Sequence, residues 1–291
     1  MQPIDFRFSQ GTQFCSVNIR FGPGEQYMPV KYDYSGSVVL ATGAGSGMGR
    51  ATALAFARAG AKVVVVDWNE ADGQETAESI GAMGGEALFL KADVSDSEAV
   101  QDFVAQTVSR FGKLDIAFNN AAIFCDPKKI HETDDEAWHR VVAVDQTSVF
   151  LCLKHQVRQM LKQGTGGVIV NTASTNALDP SPLAAPYNAA KAAVIALGRT
   201  AALEYAEDGI RVNTLVPGSI MTKMMADAFK VGPPSLEKNL RNYSAMRRIG
   251  DPDEIAMPVL WLCSDAATYV TGTEMIVDGG HMAGTLQIHT D

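Results

Sequence analysis

Three polar side chains in the second half of the chain are of types that can move a proton. Tyr187 and Lys191 are four residues apart at the start of a predicted helix, so both side chains point to the same face. An unperturbed phenol has a pKa near ~10, and a neighbouring ammonium favours its ionised form. Ser174 ends the preceding apolar run and offers a hydroxyl to the reacting oxygen. The three residues therefore indicate a tyrosine general acid or base.

A second group of residues has the pattern of a phosphate-binding turn. Residues 42–49 read TGAGSGMG between an apolar run and a predicted helix, with Gly43, Gly47 and Gly49 in the key places. Glycines let the backbone approach a pyrophosphate, and the following helix points its N–H groups at that anion. Asp67 ends the next apolar run, where a carboxylate accepts hydrogen bonds from adenosine ribose hydroxyls. The pattern predicts a dinucleotide site.

The charge near Asp67 indicates which dinucleotide is bound. A carboxylate there repels a 2′-phosphate. No Arg or Lys lies within residues 43–49, and Asp67 is followed by Trp68, Asn69 and Glu70. A phosphate on the ribose would meet no cation in these two stretches, so we expect NAD rather than NADP as the cofactor.

The elements that position these residues alternate along the chain. Apolar runs typical of strands occupy residues 37–42, 62–67, 86–90, 114–118, 167–172, 210–216 and 274–278. Helical patterns occupy residues 51–59, 70–82, 96–111, 133–162, 185–207 and 251–264. Strands separated by helices predict an α/β fold with a doubly wound parallel sheet, the Rossmann fold, in a single domain. Such sheets bind ligands at the carboxyl ends of their strands.

Two segments fall outside this alternation. Residues 1–36 are rich in glycine, proline and scattered aromatic residues, and we interpret them as an irregular N-terminal arm before a domain of residues 37–291. Residues 219–247 are interpreted as a substrate lid. The lid contains apolar side chains that suit either a small apolar substrate or ordinary helix packing, namely Met221, Met224, Met225 and Phe229.

Over about residues 36–280 the chain resembles the classical single-domain branch of the short-chain dehydrogenase/reductase family. Besides the turn, Ser174 and the Tyr187/Lys191 pair, several family motifs occur in order. They are Asp93-Val94, Asn119-Asn120-Ala121-Ala122, Pro217-Gly218-Ser219-Ile220-Met221-Thr222, Arg248-Ile249-Gly250 with the residues to Ala256, and Val277-Asp278-Gly279-Gly280. Ala122 stands where the family has glycine.

The resemblance implies an NAD-dependent oxidoreductase that interconverts a secondary alcohol and a ketone on a small, fairly apolar substrate. Tyr187 would be the general acid or base, Ser174 would hold the substrate oxygen, and Lys191 would lower the tyrosine pKa and hold the nicotinamide ribose. The cofactor-binding residues it implies are Gly43, Ser46, Gly47, Met48, Gly49, Asp67, Trp68, Asp93, Val94, Asn120, Ala121, Ala122, Tyr187, Lys191, Pro217, Gly218, Ile220 and Thr222.

Asp145 is the main departure from the family pattern. The family usually has asparagine here, which stabilises a helix irregularity and holds a water that links the lysine to solvent. Aspartate is nearly isosteric and can hold the same water. Its charge would raise the pKa of Lys191 and weaken the pull of that lysine on Tyr187. We therefore expect Asp145 to belong to the catalytic group and to retune it.

Composition excludes several other classes of function. The net charge of −9 and the lack of clustered Lys and Arg argue against nucleic acid binding. The 4 cysteines have no metal-ligand spacing, so no metal site is predicted. No apolar run reaches the ~18–20 residues of a membrane span, and the first ten residues do not resemble a signal peptide. We expect a cytoplasmic protein without a membrane partner.

Assembly and two alternative functions complete the expectations. In the family the helices matching residues 133–162 and 185–207 form a dimer interface, so a homotetramer or homodimer is expected.

One alternative is a catalytically idle NAD-binding regulator, which typically loses the tyrosine or lysine that this chain retains. The other is an NADP-dependent 3-oxoacyl reductase, against which Asp67 and the acidic chain argue.

Overall fold

The computed structural model describes residues 15–17 and 30–284, so most of the predicted arm, and residues 285–291, lie outside the described part. Two short strands, β1 (Cys15–Val17) and β2 (Val30–Tyr32), pair antiparallel. Tyr34 is buried, its hydroxyl donates to the carbonyl of Leu260, and its ring meets that of Phe56 edge-on at 4.9 Å. Tyr34 thus anchors the chain just before the domain to the body.

A seven-stranded parallel sheet forms the centre of the described chain. Its strands are β3 (Val38–Thr42), β4 (Lys62–Asp67), β5 (Ala87–Lys91), β6 (Ile116–Asn119), β7 (Gly167–Thr172), β8 (Ile210–Pro217) and β9 (Glu274–Val277). The strand order is β5-β4-β3-β6-β7-β8-β9. The order reverses between β3 and β6, which opens a crevice at their carboxyl ends. The predicted single-domain, doubly wound α/β fold is confirmed.

Helices cover both faces of the sheet. They are α1 (Gly47–Arg58), α2 (Glu70–Ala82), α3 (Ser97–Phe111), α4 (Asp135–Val142), α5 (Ser148–Gln163), α6 (Ala185–Tyr205), α7 (Lys223–Val231), α8 (Leu236–Tyr243) and α9 (Pro252–Cys263). Alternate residues of β4 pack on opposite sides: Val63 and Val65 belong to one core cluster, Val64 and Val66 to the other. A continuous apolar run is therefore needed in each central strand.

The structure differs from the predicted elements at two places near the crevice. The helix predicted at residues 133–162 is interrupted by one π-helical turn, Ala143–Thr147, between α4 and α5. The extra residue of a π turn does not change the apolar pattern enough to be seen in the sequence. In addition, α1 begins at Gly47 rather than near residue 51, because the last glycines of the turn already form its first turn.

Candidate active site

Helix α6 places Tyr187 and Lys191 together. The helix begins at Ala185, so Tyr187 lies in its first turn and Lys191 one turn later. The Lys191 Nζ lies 5.5 Å from the centroid of the Tyr187 ring and donates to the carbonyl oxygen of Thr172 at 3.2 Å. Lys191 is only 1% exposed, so its charge acts on the phenol with little screening by water.

Ser174 lies just beyond the carboxyl end of β7 and faces the same phenol. Its side chain is buried, and its Oγ accepts a hydrogen bond from the N–H of Asn176 at 3.2 Å. Burial raises the pKa of Tyr187, and the charge of Asp145 raises it further. The charge of Lys191 and a hydrogen bond with Ser174 lower it. The net effect is a raised pKa for the phenol. Lys191 and Ser174 are the two groups that favour its ionised form.

Asp145 completes this cluster from the π-helical turn. The carboxylate is fully buried; its Oδ1 accepts from the N–H of Ile123 at 2.8 Å and its Oδ2 lies 3.3 Å from the Lys191 Nζ. Burial raises the pKa of Asp145 against the effects of Lys191 and of the Ile123 N–H. Burial alone would lower the pKa of Lys191, but Asp145 and Tyr187 outweigh it and the lysine pKa is raised. The structure therefore joins aspartate, lysine and tyrosine in one buried cluster.

The glycine-rich turn meets the requirements of a pyrophosphate site. Its helix α1 begins at Gly47, the preceding Ser46 makes no side-chain capping hydrogen bond, and the first turn has no acidic residue. The first N–H groups of α1 are thus left without a capping side chain in the described chain, as an anion requires. A Cβ at Gly49 would overlap the carbonyl oxygen of Gly43, so only glycine fits there. The neighbouring Met48 is partly buried. The turn fits a dinucleotide.

Asp67 ends β4 beside this turn, as predicted. Its Oδ2 accepts from the N–H of Gly45 at 2.8 Å and its Oδ1 from the N–H of Asn69 at 2.9 Å. A Cβ at Gly45 would lie 2.8 Å from the Asp67 Oδ2, so this glycine, which the sequence analysis passed over, lets the turn approach the carboxylate. The ring of Trp68 is 75% exposed at the adjoining position. Both residues lie where an adenosine would be expected.

The loops after β5 and β6 bring the next predicted residues to the same edge. Asp93 accepts from the N–H of Ser95 at 2.9 Å, and Val94 is buried behind it. The Asn120 amide donates to the Thr42 and Gly43 carbonyls, each at 3.3 Å.

The β6 loop is fastened to the turn by Thr42. The Thr42 Oγ1 accepts from the N–H groups of Asn120 at 3.0 Å and Ala121 at 3.2 Å, and Ala122 follows in the same loop. A Cβ at Gly43, whose φ is +61°, would lie 2.8 Å from the Cα of Ala121. The asparagine-alanine motif therefore fixes the shape of the turn.

The carboxyl end of β8 is Pro217, and three more predicted residues follow it: Gly218, Ile220 and Thr222. The Gly218 N–H donates to the carbonyl of Val277 at 3.0 Å, and Ile220 is buried. Thr222 caps α7, its Oγ1 accepting from the N–H of Met225 at 3.2 Å. Every predicted site residue thus lies in or just beyond the carboxyl end of a strand, or on a helix that borders the crevice.

The structure also brings in a cation that the local sequence did not indicate. Lys223 begins α7, and its Nζ lies 2.9 Å from the Oδ2 of Asp72 in the first turn of α2. The charge of Asp67 also acts on Lys223. The expectation of no cation concerned the turn and the residues just after Asp67. Lys223 lies outside both stretches, 151 residues from Asp72 in the chain, and its Nζ is paired with the Asp72 carboxylate.

Two apolar side chains at the rim were not among the predicted residues. The ring of Phe124 lies 4.9 Å from that of Tyr187 and is 47% exposed. Leu183 is exposed with a φ of +67°, a strained backbone conformation for a branched residue. Its carbonyl accepts from the N–H of Lys128 at 3.1 Å, which ties the Phe124 loop to the segment before α6. The ring of Phe124 therefore forms an apolar surface beside the phenol.

Among residues 15–17 and 30–284, no group of three or more His, Cys, Asp and Glu side chains is arranged to hold a metal ion. None of the described helices combines the length and the apolar character that crossing a membrane requires.

Comparison with known proteins gives consistent matches over most of the chain. A family model described as enoyl-(acyl carrier protein) reductase matches residues 43–282. The short chain dehydrogenase/reductase astE of Aspergillus oryzae is 44% identical, covering 86% of this chain and 96% of that protein. A 2,5-dichloro-2,5-cyclohexadiene-1,4-diol dehydrogenase of Sphingobium indicum is 41% identical, and the match covers 86% of this chain and 99% of that protein. A cyclohexanol dehydrogenase of an Acinetobacter species is 40% identical, and the match covers 85% of this chain and 96% of that protein.

Solved structures agree with these relatives. The structure of levodione reductase superposes on this chain with a TM-score of 0.81 at 35% sequence identity. The match covers 87% of this chain and 100% of the levodione reductase chain. A 3-ketoacyl-(acyl-carrier-protein) reductase of Brucella melitensis, complexed with NADH, gives a TM-score of 0.79 at 36% identity, with 85% and 98% covered. Given a family model and close relatives that each span most of its length, the chain belongs to the short-chain dehydrogenase/reductase family of oxidoreductases.

Proposed function

We propose that this protein is an NAD-dependent oxidoreductase that interconverts a cyclic secondary alcohol and its ketone, with Tyr187 as the general acid or base. One observation carries the proposal. The phenol of Tyr187 lies beside the buried ammonium of Lys191 at the carboxyl edge of the sheet, and the buried hydroxyl of Ser174 is close enough to lower the pKa of that phenol. A proton acceptor, an oxygen-positioning hydroxyl and a charge that tunes the acceptor are therefore together.

The roles of the side chains follow from their chemistry. Ser174 donates a hydrogen bond to the substrate oxygen and holds it near the phenol. In the oxidation direction Tyr187, as phenolate, takes the proton of the alcohol hydroxyl; in the reduction direction the phenol returns a proton to the carbonyl oxygen. Lys191 stabilises the phenolate through its charge. Bound NAD supplies the hydride acceptor that this proton transfer accompanies.

The choice of NAD rests on the chain's own residues. The uncapped start of α1 after Ser46 suits a pyrophosphate, and Asp67 presents a buried carboxylate to a ribose. A 2′-phosphate at this position would be repelled by Asp67, and the nearby Lys223 is paired with Asp72. The NADH complex of the Brucella melitensis relative is consistent with this choice.

The proposed substrate is a small carbocycle with a hydroxyl or keto group. The exposed ring of Phe124 offers an apolar face next to the phenol. Apolar rings pack well on such surfaces. Two relatives named above are dehydrogenases of a cyclohexadiene diol and of cyclohexanol, which supports the same class of substrate.

Replacing Tyr187 by phenylalanine tests the assignment. We expect Tyr187→Phe to reduce the kcat for cyclohexanol oxidation with NAD by about 100-fold to 10,000-fold, because the proton acceptor is lost. NADH affinity, followed by NADH fluorescence, should fall far less than kcat, because Tyr187 is one of many residues expected to contact the cofactor.

The matched control is Tyr205→Phe, which removes a hydroxyl at the other end of the same helix. This variant should retain wild-type turnover. A Tyr187→Phe enzyme with wild-type turnover would overturn the proposed role of the tyrosine.

A further inference from the structure

The segment that follows β8 crosses directly over the glycine-rich turn. Gly47 has a φ of +51°, and a Cβ there would lie 3.0 Å from the Cγ2 of Thr222. Thr222 caps α7 through the N–H of Met225, so the first turn of α7 begins on top of this glycine. The start of α7 and the proposed pyrophosphate site are thus in contact.

Lys223 extends this contact to the opposite side of the turn. Its Nζ donates to the Oδ2 of Asp72 at 2.9 Å, and the same oxygen accepts from the amide of Asn69 at 3.0 Å. The Asn69 Oδ1 accepts from the N–H of Asp72 at 3.2 Å, which fixes the carboxylate at the start of α2. A Cβ at Gly45 would lie 3.0 Å from the Asp72 Cβ. The ion pair therefore spans the turn, from Thr222 on one side to Asp72 on the other.

The surroundings of the pair suit a contact that opens and closes. The side chain of Lys223 is 61% exposed and that of Asp72 28% exposed. A hydrogen bond and the charge of Asp72 raise the pKa of Lys223, and Asp227 and Asp67 add to the effect, so the lysine is an ammonium at neutral pH. An exposed pair of this kind is weak and is screened by salt, so it can break each time a cofactor leaves.

We propose that the Lys223–Asp72 pair sets both the retention and the choice of the dinucleotide. The pair straps the start of α7 over the turn and slows cofactor release. Asp72 also neutralises Lys223 near Asp67, just as Glu70 pairs with Lys91, the register partner of Asp67 on β5, at 3.0 Å. A 2′-phosphate therefore gains no free cation from either lysine. The inference rests on the proposed function only in requiring that the turn bind a nicotinamide dinucleotide.

The two residues make opposite predictions for the two cofactors. Lys223→Met removes the strap and the cation, so NADH should leave about twofold to fivefold faster and NADPH affinity should not improve. Asp72→Asn also removes the strap but frees the lysine. NADH should again leave faster, whereas NADPH should bind about twofold to fivefold more tightly. General damage to the site would weaken both cofactors together.

The experiment measures NADH release by stopped-flow fluorescence and the Kd of NADPH by titration, on the full chain. Lys230→Met is the matched control, because Lys230 lies on the same helix and its Nζ pairs with Asp227 at 2.6 Å, both side chains being exposed. It should release NADH at the wild-type rate. Raising the salt concentration should accelerate release from the wild type and from Lys230→Met but not from Lys223→Met.

The possible outcomes separate the strap from the proposed function. Wild-type binding of NADH with unchanged release from Lys223→Met and Asp72→Asn overturns the strap and leaves the proposed function standing. Weaker NADPH binding by Asp72→Asn overturns the neutralising role. A wild-type protein that binds neither NADH nor NADPH overturns the proposed function and the strap together.

Discussion

At the scale of single residues, Asp145 changes the electrostatics of the site. Its carboxylate accepts from the Ile123 N–H, a contact that an asparagine side-chain oxygen would also make, and its second oxygen lies 3.3 Å from the Lys191 Nζ. A buried pair of opposite charges partly cancels its own field at a third group. Lys191 therefore acts on Tyr187 more weakly than it would beside a neutral partner. Burial is the main cause of the raised pKa of the phenol, and the charge of Asp145 adds to it.

Replacing Asp145 by asparagine should move the pH dependence of alcohol oxidation. Asp145 raises the pKa of Tyr187, so removing its charge lowers that pKa. Oxidation needs the phenolate, which then persists to lower pH. We expect the acid limb of the kcat/KM profile to shift down by about 0.5–1 pH unit, on the order of 1 kcal/mol in the proton equilibrium.

The control for this shift is Asp126→Asn, which removes an exposed carboxylate from the neighbouring loop. Its profile should match the wild type. A profile of Asp145→Asn that does not move, measured where chemistry limits the rate and with an unchanged unfolding temperature, would show that Asp145 does not act on the phenol as a charged group.

Sequence reasoning reached the residues whose partners are close along the chain or fixed by a motif. Tyr187 and Lys191 are one helical turn apart, and Asp67 follows the turn at a regular distance. Lys223 could not be found in this way, because its contact with Asp72 depends on how β8 returns across the sheet. Gly45 could not be singled out either, because a side chain there would collide with Asp67, which lies on another strand.

At the scale of elements, two segments border Tyr187. The loop after β6 carries Phe124, and the segment before α6 carries Leu183, held in a strained conformation by its hydrogen bond with Lys128. Strain at a non-glycine residue persists only where the surrounding structure enforces it. The interruption of the helix at the π-helical turn likewise aims Asp145 into the crevice, a detail that helical periodicity alone does not reveal.

Truncating Phe124 should affect ring-shaped substrates selectively. Phe124→Ala removes the ring face beside Tyr187, so kcat/KM for cyclohexanol should fall about threefold to tenfold, while that for 2-propanol should change less than about twofold. Phe124→Leu keeps an apolar side chain and should give an intermediate loss. Equal losses for both alcohols would mean that Phe124 supports the tyrosine rather than recognising a ring.

At the scale of the whole molecule, the fold was predictable because its rules are simple. Parallel strands buried on both faces need continuous apolar runs, and right-handed crossovers then leave few possible strand orders. The run of valines in β4, residues 63–66, is a clear example. The predicted ends of helices were less accurate. At α1, for example, the last glycines of the turn are also the first residues of the helix.

We propose that the turn, Asp67 and the phenol together let the protein oxidise a cyclic secondary alcohol with NAD. The most direct test is the absorbance of reduced nicotinamide formed from cyclohexanol, with NAD and NADP compared under identical conditions. The account predicts turnover with NAD and a kcat/KM for NAD at least about tenfold above that for NADP, because Asp67 repels the 2′-phosphate. Equal kcat/KM values for the two cofactors, or no reduced nicotinamide with any secondary alcohol, would contradict it.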